Sequence, residues 1–336
     1  MSWGTPALLA DLAMRFEDAM IFSVALLLAL LVDRHLGEPA VRWHPVVWMG
    51  NYLNWAAARI QPNPSPDVRD LKAFTLAALY WFAGAAIVLI VTCALQWSAF
   101  QLPWYLAALL LGLTLKPMLA WTMLRREVQA VEDALAESLQ AGRERLRWLV
   151  SRDTSSLSAF EVRESAIESL AENLNDSVVA PIFWFVLFGL PGAAVYRFAN
   201  TADAMWGYKG LRQGKNWEWA GKWAAWVDDG LSWLSARLTA LLLAVVVGGL
   251  CLKVLRQEAR KTPSPNSGWP MAAMALALNI RLGKPGFYTL NAAGRPPLAA
   301  DTAQAQGYAS KVVLVQVLLA LIAMFLIASI KQGLLQ

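Results

Sequence analysis

From Ala73 to Leu95, and again from Val312 to Ile330, the chain carries no charged side chain. A helix needs about 20 mostly apolar residues to cross the hydrocarbon of a bilayer. These runs therefore commit the chain to a membrane, as a long span over Leu71–Leu95 and a final span over Val312–Ile330. Two shorter runs, Ala19–Val32 and Leu102–Leu115, read as spans that borrow from their flanks. The first is expected to be retained: only Arg15 precedes it closely as a basic residue, and no small-residue cleavage site follows. Composition agrees with this reading. Of 336 residues 57% are hydrophobic and 16% charged, with mean hydropathy +0.43, whereas soluble domains carry about 25% charge. The expected fold class is all-α: a polytopic integral membrane protein with about four to six membrane segments and amphipathic cytoplasmic helices.

Two other apolar stretches leave the topology open. Ser177–Tyr196 is interrupted by Pro181, Gly189, Pro191 and Gly192, and Leu238–Leu252 is short. Either both cross, or both are re-entrant and leave every polar segment on one side. The turn Gln96–Gln101 is uncharged and the segments flanking its helices are basic, which puts 33–72 and 116–177 in the cytoplasm. The expectation is one membrane domain over 1–336, with a cytoplasmic helical insertion at about 116–177.

The net charge of +5 needs no nucleic acid to explain it, because Lys and Arg flanking spans meet anionic lipid. Seventeen Trp suit an interfacial belt. Trp206, Trp217, Trp219, Trp223 and Trp226 are expected mainly as interfacial anchors, with stacking on a planar ligand as the alternative. Cys93 and Cys251 lie in apolar runs and read as small buried hydrophobes. No Walker-type loop, strand-linked G-x-G-x-x-G or H-E-x-x-H occurs.

The polar chemistry concentrates in a few segments. Ser158–Asp176 winds into a helix with Glu161, Glu164, Ser165, Glu168, Glu172, Asn175 and Asp176 within roughly 120° of one another. Ser158 and Glu161 have capping-box spacing, with Leu157 and Val162 placed as a hydrophobic staple, so Glu161 has a structural task available. A solvated face is the alternative for the remaining acids. Segment 33–50 gathers Asp33, Glu38 and His44. Segment 197–208 reads as helix, and 227–240 sets Asp228, Asp229 and Arg237 before an apolar run. Segment 260–288 reads as a Pro/Ser/Asn/Gly turn followed by an amphipathic helix whose first amides suit a phosphate.

These segments carry a resemblance. DRHLGEP and RWHPVVWMG (33–50), RDTSSLS with IESLAENLND (152–176), VAPIFWFVLFGLPGAAVYRFANTADAMWGY (179–208), DDGLSWLSARLTALLL (228–243) and PSPNSGWPMAAMALALNIRLG (263–283) resemble the CobD/CbiB family of adenosylcobinamide-phosphate synthases. They span nearly the whole chain in family order. The resemblance implies an ATP-dependent ligation in cobalamin biosynthesis. Adenosylcobyric acid, a corrinoid, is joined to (R)-1-aminopropan-2-ol O-phosphate, or to the free amino alcohol. ATP activates the carboxylate and the amine displaces phosphate. ATP and Mg²⁺ are the implied cofactors. The matching motif positions are Glu168, Glu172, Asn173, Asp176 and Asp203 as the catalytic set. Asn200, Arg237, Lys261, Ser264, Asn266, His44 and Glu38 are the substrate- and phosphate-binding set. Glu172, Asp176, Asp203, Asp228 and Asp229 are the Mg²⁺ set. Implied partners are the substrates, the bilayer, and a second copy or other late cobalamin-assembly membrane enzymes, with the site facing the cytoplasm of a bacterial inner membrane.

The chain departs from the family pattern at Glu164, Ser235, Thr262 and 209–222, which bears on the amino alcohol used. An AmpE-like membrane sensor or regulator is the alternative function. An ion transporter is a third reading, which predicts charges at mid-span.

Overall fold

The computed structural model describes residues 16–60, 62, 69–212 and 214–333. Residues 1–15 and most of the proline-rich stretch 61–68 lie outside them. Helices dominate: α1 (Phe16–Leu36), α2 (Pro45–Ile60), α3 (Leu71–Phe100), α4 (Trp104–Leu115), α5 (Trp121–Glu137), α6 (Leu139–Leu146) and α7 (Ala159–Leu174). A π-helical turn, Asn175–Val179, leads into α8 (Ala180–Trp206). The small antiparallel pair β1 (Leu211–Arg212) and β2 (Lys215–Asn216) follows, then α9 (Lys222–Val246), α10 (Leu252–Ala259) and α11 (Gly268–Leu278). A hairpin of β3 (Leu282–Lys284) and β4 (Tyr288–Leu290) precedes α12 (Ala299–Gly333). Six helical stretches are long and apolar enough to cross a membrane. The chain is an all-α polytopic membrane protein.

Local chemistry explains the helix starts. Asp70 caps α3 by accepting from the Ala73 amide at 2.8 Å. At α7 the capping box is complete, since the Glu161 carboxylate accepts from the Ser158 amide at 2.7 Å and the Glu161 amide donates to Ser158 Oγ. Leu157 and Val162 are both buried in one small apolar cluster with Val131 and Leu146. α1 runs seven residues beyond the apolar core Ala19–Val32 only by adding polar turns at both ends, with Glu17 and Asp18 at its start and Arg34 and His35 at its end. It packs on α4 where Gly112 is bare: an added Cβ there would meet the Ala25 carbonyl oxygen at 3.0 Å.

The stretch 177–196 does not cross. The Arg197 guanidinium donates to Ser177 Oγ at 3.1 Å and to the Asp176 carbonyl at 3.4 Å. A straight helix would hold residues so spaced about 30 Å apart. The reversal occurs at Gly189, whose φ of 65° and ψ of −153° only glycine adopts readily. Beyond it, Pro191 restarts the helix, and the bare Cα of Gly192 lets the two arms close at Trp184. Gln96 on α3 ties down the tip by accepting from the Leu190 amide at 2.8 Å.

Leu238–Leu252 does not cross either. The positive-φ glycines Gly248 and Gly249 end α9. Arg237 then meets the Pro265 carbonyl at 3.0 Å, where a crossing would leave the two about 30 Å apart. Of the two topologies, the re-entrant one is found. α1, α3, α12 and the stretch Trp104–Glu137 that begins with α4 are long and apolar enough to cross. α12 is held along its length by Thr302 to Glu132 (3.0 Å), Gln316 to the Val179 carbonyl (2.7 Å) and Met324 to Ser23 (3.5 Å).

Gly189→Val should therefore lower stability by about 2–5 kcal/mol, combining a strained backbone with crowding against Gln96. The check is the thermal midpoint in detergent. A midpoint equal to that of the parent would show that the chain does not reverse there.

Several expectations need correction. Cys93 and Cys251 are exposed on the protein surface, because α3 turns one side to lipid and Cys251 sits in the turn before α10. α11 is not amphipathic: its Gly, Pro, Met and Ala residues are buried nearly all round, and 282–290 is a β-hairpin rather than more helix. Trp206 and Trp217 are neither anchors nor open platforms. They are buried and stack on each other at 6.2 Å, while Trp223 packs on Trp81 and Phe82.

Candidate functional site

The acid ladder of α7 is not a solvated face. Glu164 and Glu168 are 3% and 5% exposed, and each meets an arginine: Glu164 bonds Arg281 at 3.1 Å and Glu168 bonds Arg152 at 3.3 Å. Arg152 also donates to Ser165, one turn from Glu168. Glu168, Glu172 and Asn173 then open onto a cavity of about 320 Å³. Its other walls are Arg152, the turn Thr262–Ser264 with Ser267, and Lys284 and Tyr288 from the β3–β4 hairpin.

The turn is built for its position. Ser264 Oγ accepts from the amides of Asn266 and Ser267, both at 3.2 Å, which leaves the hydroxyl hydrogen free to donate. Asn266 is buried. It donates to the Asp229 carbonyl at 2.7 Å and accepts from Arg237, fastening the turn to α9. Across the cavity, burial and the charges of Glu168 and Glu172 hold the Tyr288 phenol protonated, well above its ordinary range. Glu168 Oε1 and Arg152 Nε are buried without a partner at the cavity wall, and such atoms are costly unless something binds them.

A second group of acids continues from the first. The π-helical turn carries Asp176, beside Asn175 at 2.7 Å, and π-helical turns often re-aim side chains at functional sites. The returning arm of α8 brings Asn200 to Asp228 at 3.4 Å. Asp228 faces the charges of Asp176, Asp203 and Asp229. Glu172 joins the two groups: it faces the charges of Asp176, Glu168 and Asp203, opposed by Lys284. Among the described residues no three His, Cys, Asp or Glu side chains form a ready metal cage.

Most residues taken from the motifs thus converge: Glu168, Glu172, Asn173, Asp176, Asn200, Asp203, Asp228, Asp229, Ser264 and Asn266, with Arg237 behind the turn. Three stand apart. Lys261 is an exposed partner of Glu258 at 2.7 Å. Glu38 and His44 belong to a network with Lys116, in which Glu38 lies 2.6 Å from the Lys116 ammonium and 3.0 Å from His44 Nε2. Burial alone would raise the Glu38 pKa, but His44 and Lys116 hold it below the usual carboxylate range. Arg197 lies between this network and Asp176, facing the charges of both acids.

Arg152, Lys284, Tyr288 and Arg197 escaped the motif positions chosen from sequence. Arg152 and Arg197 do open the stretches RDTSSLS and RFANTADAM, so that signal was present. Lys284 and Tyr288 lie over a hundred positions from α7, and no spacing rule connects them to it. A separate apolar cavity of about 560 Å³ between α2, α3 and the α8 tip presents none of these charges.

The family model for CobD/Cbib protein matches residues 26–324. The chain belongs to the CobD/Cbib family. Its relatives include the "Probable cobalamin biosynthesis protein CobD" of Thermococcus kodakarensis, 41% identical over 79% of this chain and 84% of that protein. The protein of the same name from Methanothermobacter thermautotrophicus is 37% identical over 79% and 85%. The "Cobalamin biosynthesis protein CobD" of Chromobacterium violaceum is 40% identical over 81% and 84%. No solved structure matches significantly.

Proposed function

We propose that this CobD/Cbib family member serves cobalamin biosynthesis as an ATP-dependent amide ligase. It joins a carboxylate of adenosylcobyric acid to the amine of 1-aminopropan-2-ol O-phosphate. One observation carries the reading: a single cavity presents carboxylates (Glu168, Glu172), cations (Arg152, Lys284) and a serine turn (Ser264, Ser267) on facing walls. Phosphoryl transfer to a carboxylate and capture by an amine need those groups together.

Arg152 and Lys284 neutralise phosphoryl oxygens, and the Ser264 hydroxyl donates to them. When the amine nitrogen bonds to the activated carboxyl carbon and phosphate departs, Glu172 is placed to take the ammonium proton. The neutral Tyr288 stands at the wall beside Glu168, its hydroxyl donating to Met271 Sδ at 3.9 Å. Mg²⁺ fits this donor set. It is usually held by one or two carboxylates plus substrate phosphates rather than by a full protein cage, and Glu172, Asp176, Asp203 and Asp228 offer such pairs. Bound there, it would supply positive charge against the phosphate oxygens. A cavity of about 320 Å³ holds reacting groups and leaves the macrocycle at its mouth. The basic residues that flank the spans favour the cytoplasmic side of a cell membrane for this face.

The test is direct. Protein purified in detergent and supplied with adenosylcobyric acid, aminopropanol phosphate and Mg-ATP should yield a product of adenosylcobinamide phosphate mass. Absence of both product and ATP turnover would sink the reading.

A further inference from the structure

Beside the polar cavity lies a separate groove of about 660 Å³, and the two share Thr262, Pro263 and Ser264 as a common wall. The charge reverses across that wall. The far side presents Arg237, Arg256 and Arg260 with the indoles of Trp233 and Trp269, and no described carboxylate lines it. Arg237 is locked in place: it donates to the Trp233 carbonyl at 2.9 Å and the Pro265 carbonyl at 3.0 Å, and lies 4.6 and 5.0 Å from the two indole centroids.

Arg256 on α10 and Arg260 just past its end stand four residues apart, both exposed. Among the described residues neither has an acidic partner. The nearest acid on that helix, Glu258, is taken by Lys261 and by the Asn291 amide, each at 2.7 Å. Like charges at this spacing repel, and an anion between them relieves the repulsion.

We infer that this groove is the subsite for the phosphate of the amine substrate, and that Arg256 and Arg260 select the phosphorylated amino alcohol over the free one. The inference rests on the ligase reading for the identity of the amine. An aminoalkyl phosphate is cationic at one end and anionic at the other, and the two cavities match that polarity. Its ammonium is drawn to Glu168 and Glu172, while its phosphate reaches over exposed Pro263, at the rim of that wall, to the arginines. Guanidinium forks suit phosphate oxygens, and the indole walls keep water from part of the contact, which strengthens it. A free amino alcohol offers the groove nothing. The same phosphate chemistry is present in anionic lipid headgroups, and the experiment separates the two sources.

The experiment is calorimetric titration of 1-aminopropan-2-ol O-phosphate into the full chain, without ATP or corrinoid. The Arg256→Gln/Arg260→Gln pair should weaken binding at least about tenfold, since each lost charge-assisted bond contributes on that order. Lys253→Gln, on the same helix but outside the groove, should change it less than about twofold. Parental affinity in the double variant overturns the subsite. An equal loss in Lys253→Gln also overturns it, by showing only a diffuse basic field. In nanodiscs, affinity that survives addition of phosphatidylglycerol to phosphatidylcholine supports a soluble phosphate ester. Affinity abolished by phosphatidylglycerol assigns the arginines to lipid and overturns the proposal. Because binding is read without turnover, a chain that fails to ligate yet loses affinity with the two arginines sinks the ligase reading alone.

Discussion

Glu172→Gln should lower turnover about 10²–10⁴-fold, the usual contribution of a positioned general base, while leaving the folded protein as stable as the parent or more so. The second half of this expectation follows from what surrounds the side chain. Glu172 faces Glu168, Asp176 and Asp203, with Lys284 as opposition, and like charges held together destabilise a fold. Removing one of them while keeping its shape relieves that repulsion. A gain in stability with a loss of activity is the mark of a residue retained for chemistry. The checks are product formation with Mg-ATP and the thermal midpoint in detergent. Parental turnover would mean that the carboxylate takes no part in the chemistry. Lost turnover with a collapsed midpoint would mean that it holds the fold.

Lys116→Met is the opposite case and should cost about 3–5 kcal/mol, the usual consequence of leaving buried charge without its partner. Lys116 is 1% exposed and lies 2.6 Å from Glu38 and 3.4 Å from Asp33, itself 1% exposed. Asp33 keeps its bond from the Thr122 amide at 2.8 Å but loses its counter-charge. The loss should show as a lower thermal midpoint, and Lys116→Met/Asp33→Asn should recover part of it. A single variant as stable as the parent would show that the pair contributes nothing.

The same network makes a pH signature. Glu38 is held below its ordinary value of 4.5, so its ion pairs stabilise the fold fully above that pH. The contribution is lost as the pH falls through the lower, folded-state value. In Lys116→Met this acid-side loss of stability should shrink.

Much of the site was legible because local rules wrote it. The capping box at Ser158 and Glu161 is visible in four letters, and it separated a structural acid from the rest of α7. The Pro-Ser-Pro-Asn turn announced a helix start, which is where α11 begins, although Ser264 Oγ takes the Asn266 and Ser267 amides there. What the pattern misjudged, it misjudged for want of neighbours. Glu164 stands on the same stripe as Glu168, yet it pairs with Arg281, whereas Glu168 opens onto the cavity beside Arg152. Lys261, a phosphate-binding position by resemblance, pairs with Glu258 three positions earlier, which no motif announced. Segment 260–288 read as a turn followed by an amphipathic helix, but packing surrounds α11.

The deepest division is between membrane character and topology. Apolar runs beyond the length of a bilayer determine by themselves that this chain is a helical membrane protein, since lipid admits no unpaired backbone. Sequence alone also determined, through motifs spread along the chain, which family it belongs to. It could not decide whether 177–196 crosses, because a Gly–Pro interruption permits either a kinked span or a reversal. Only the tertiary contacts of Gly189 with Gln96 and of Arg197 with Asp176 and Ser177 decide for reversal. That reversal brings Asn200 and Asp203 back beside Asp176. A site assembled from residues this far apart in sequence is a property of packing, and no local pattern encodes it.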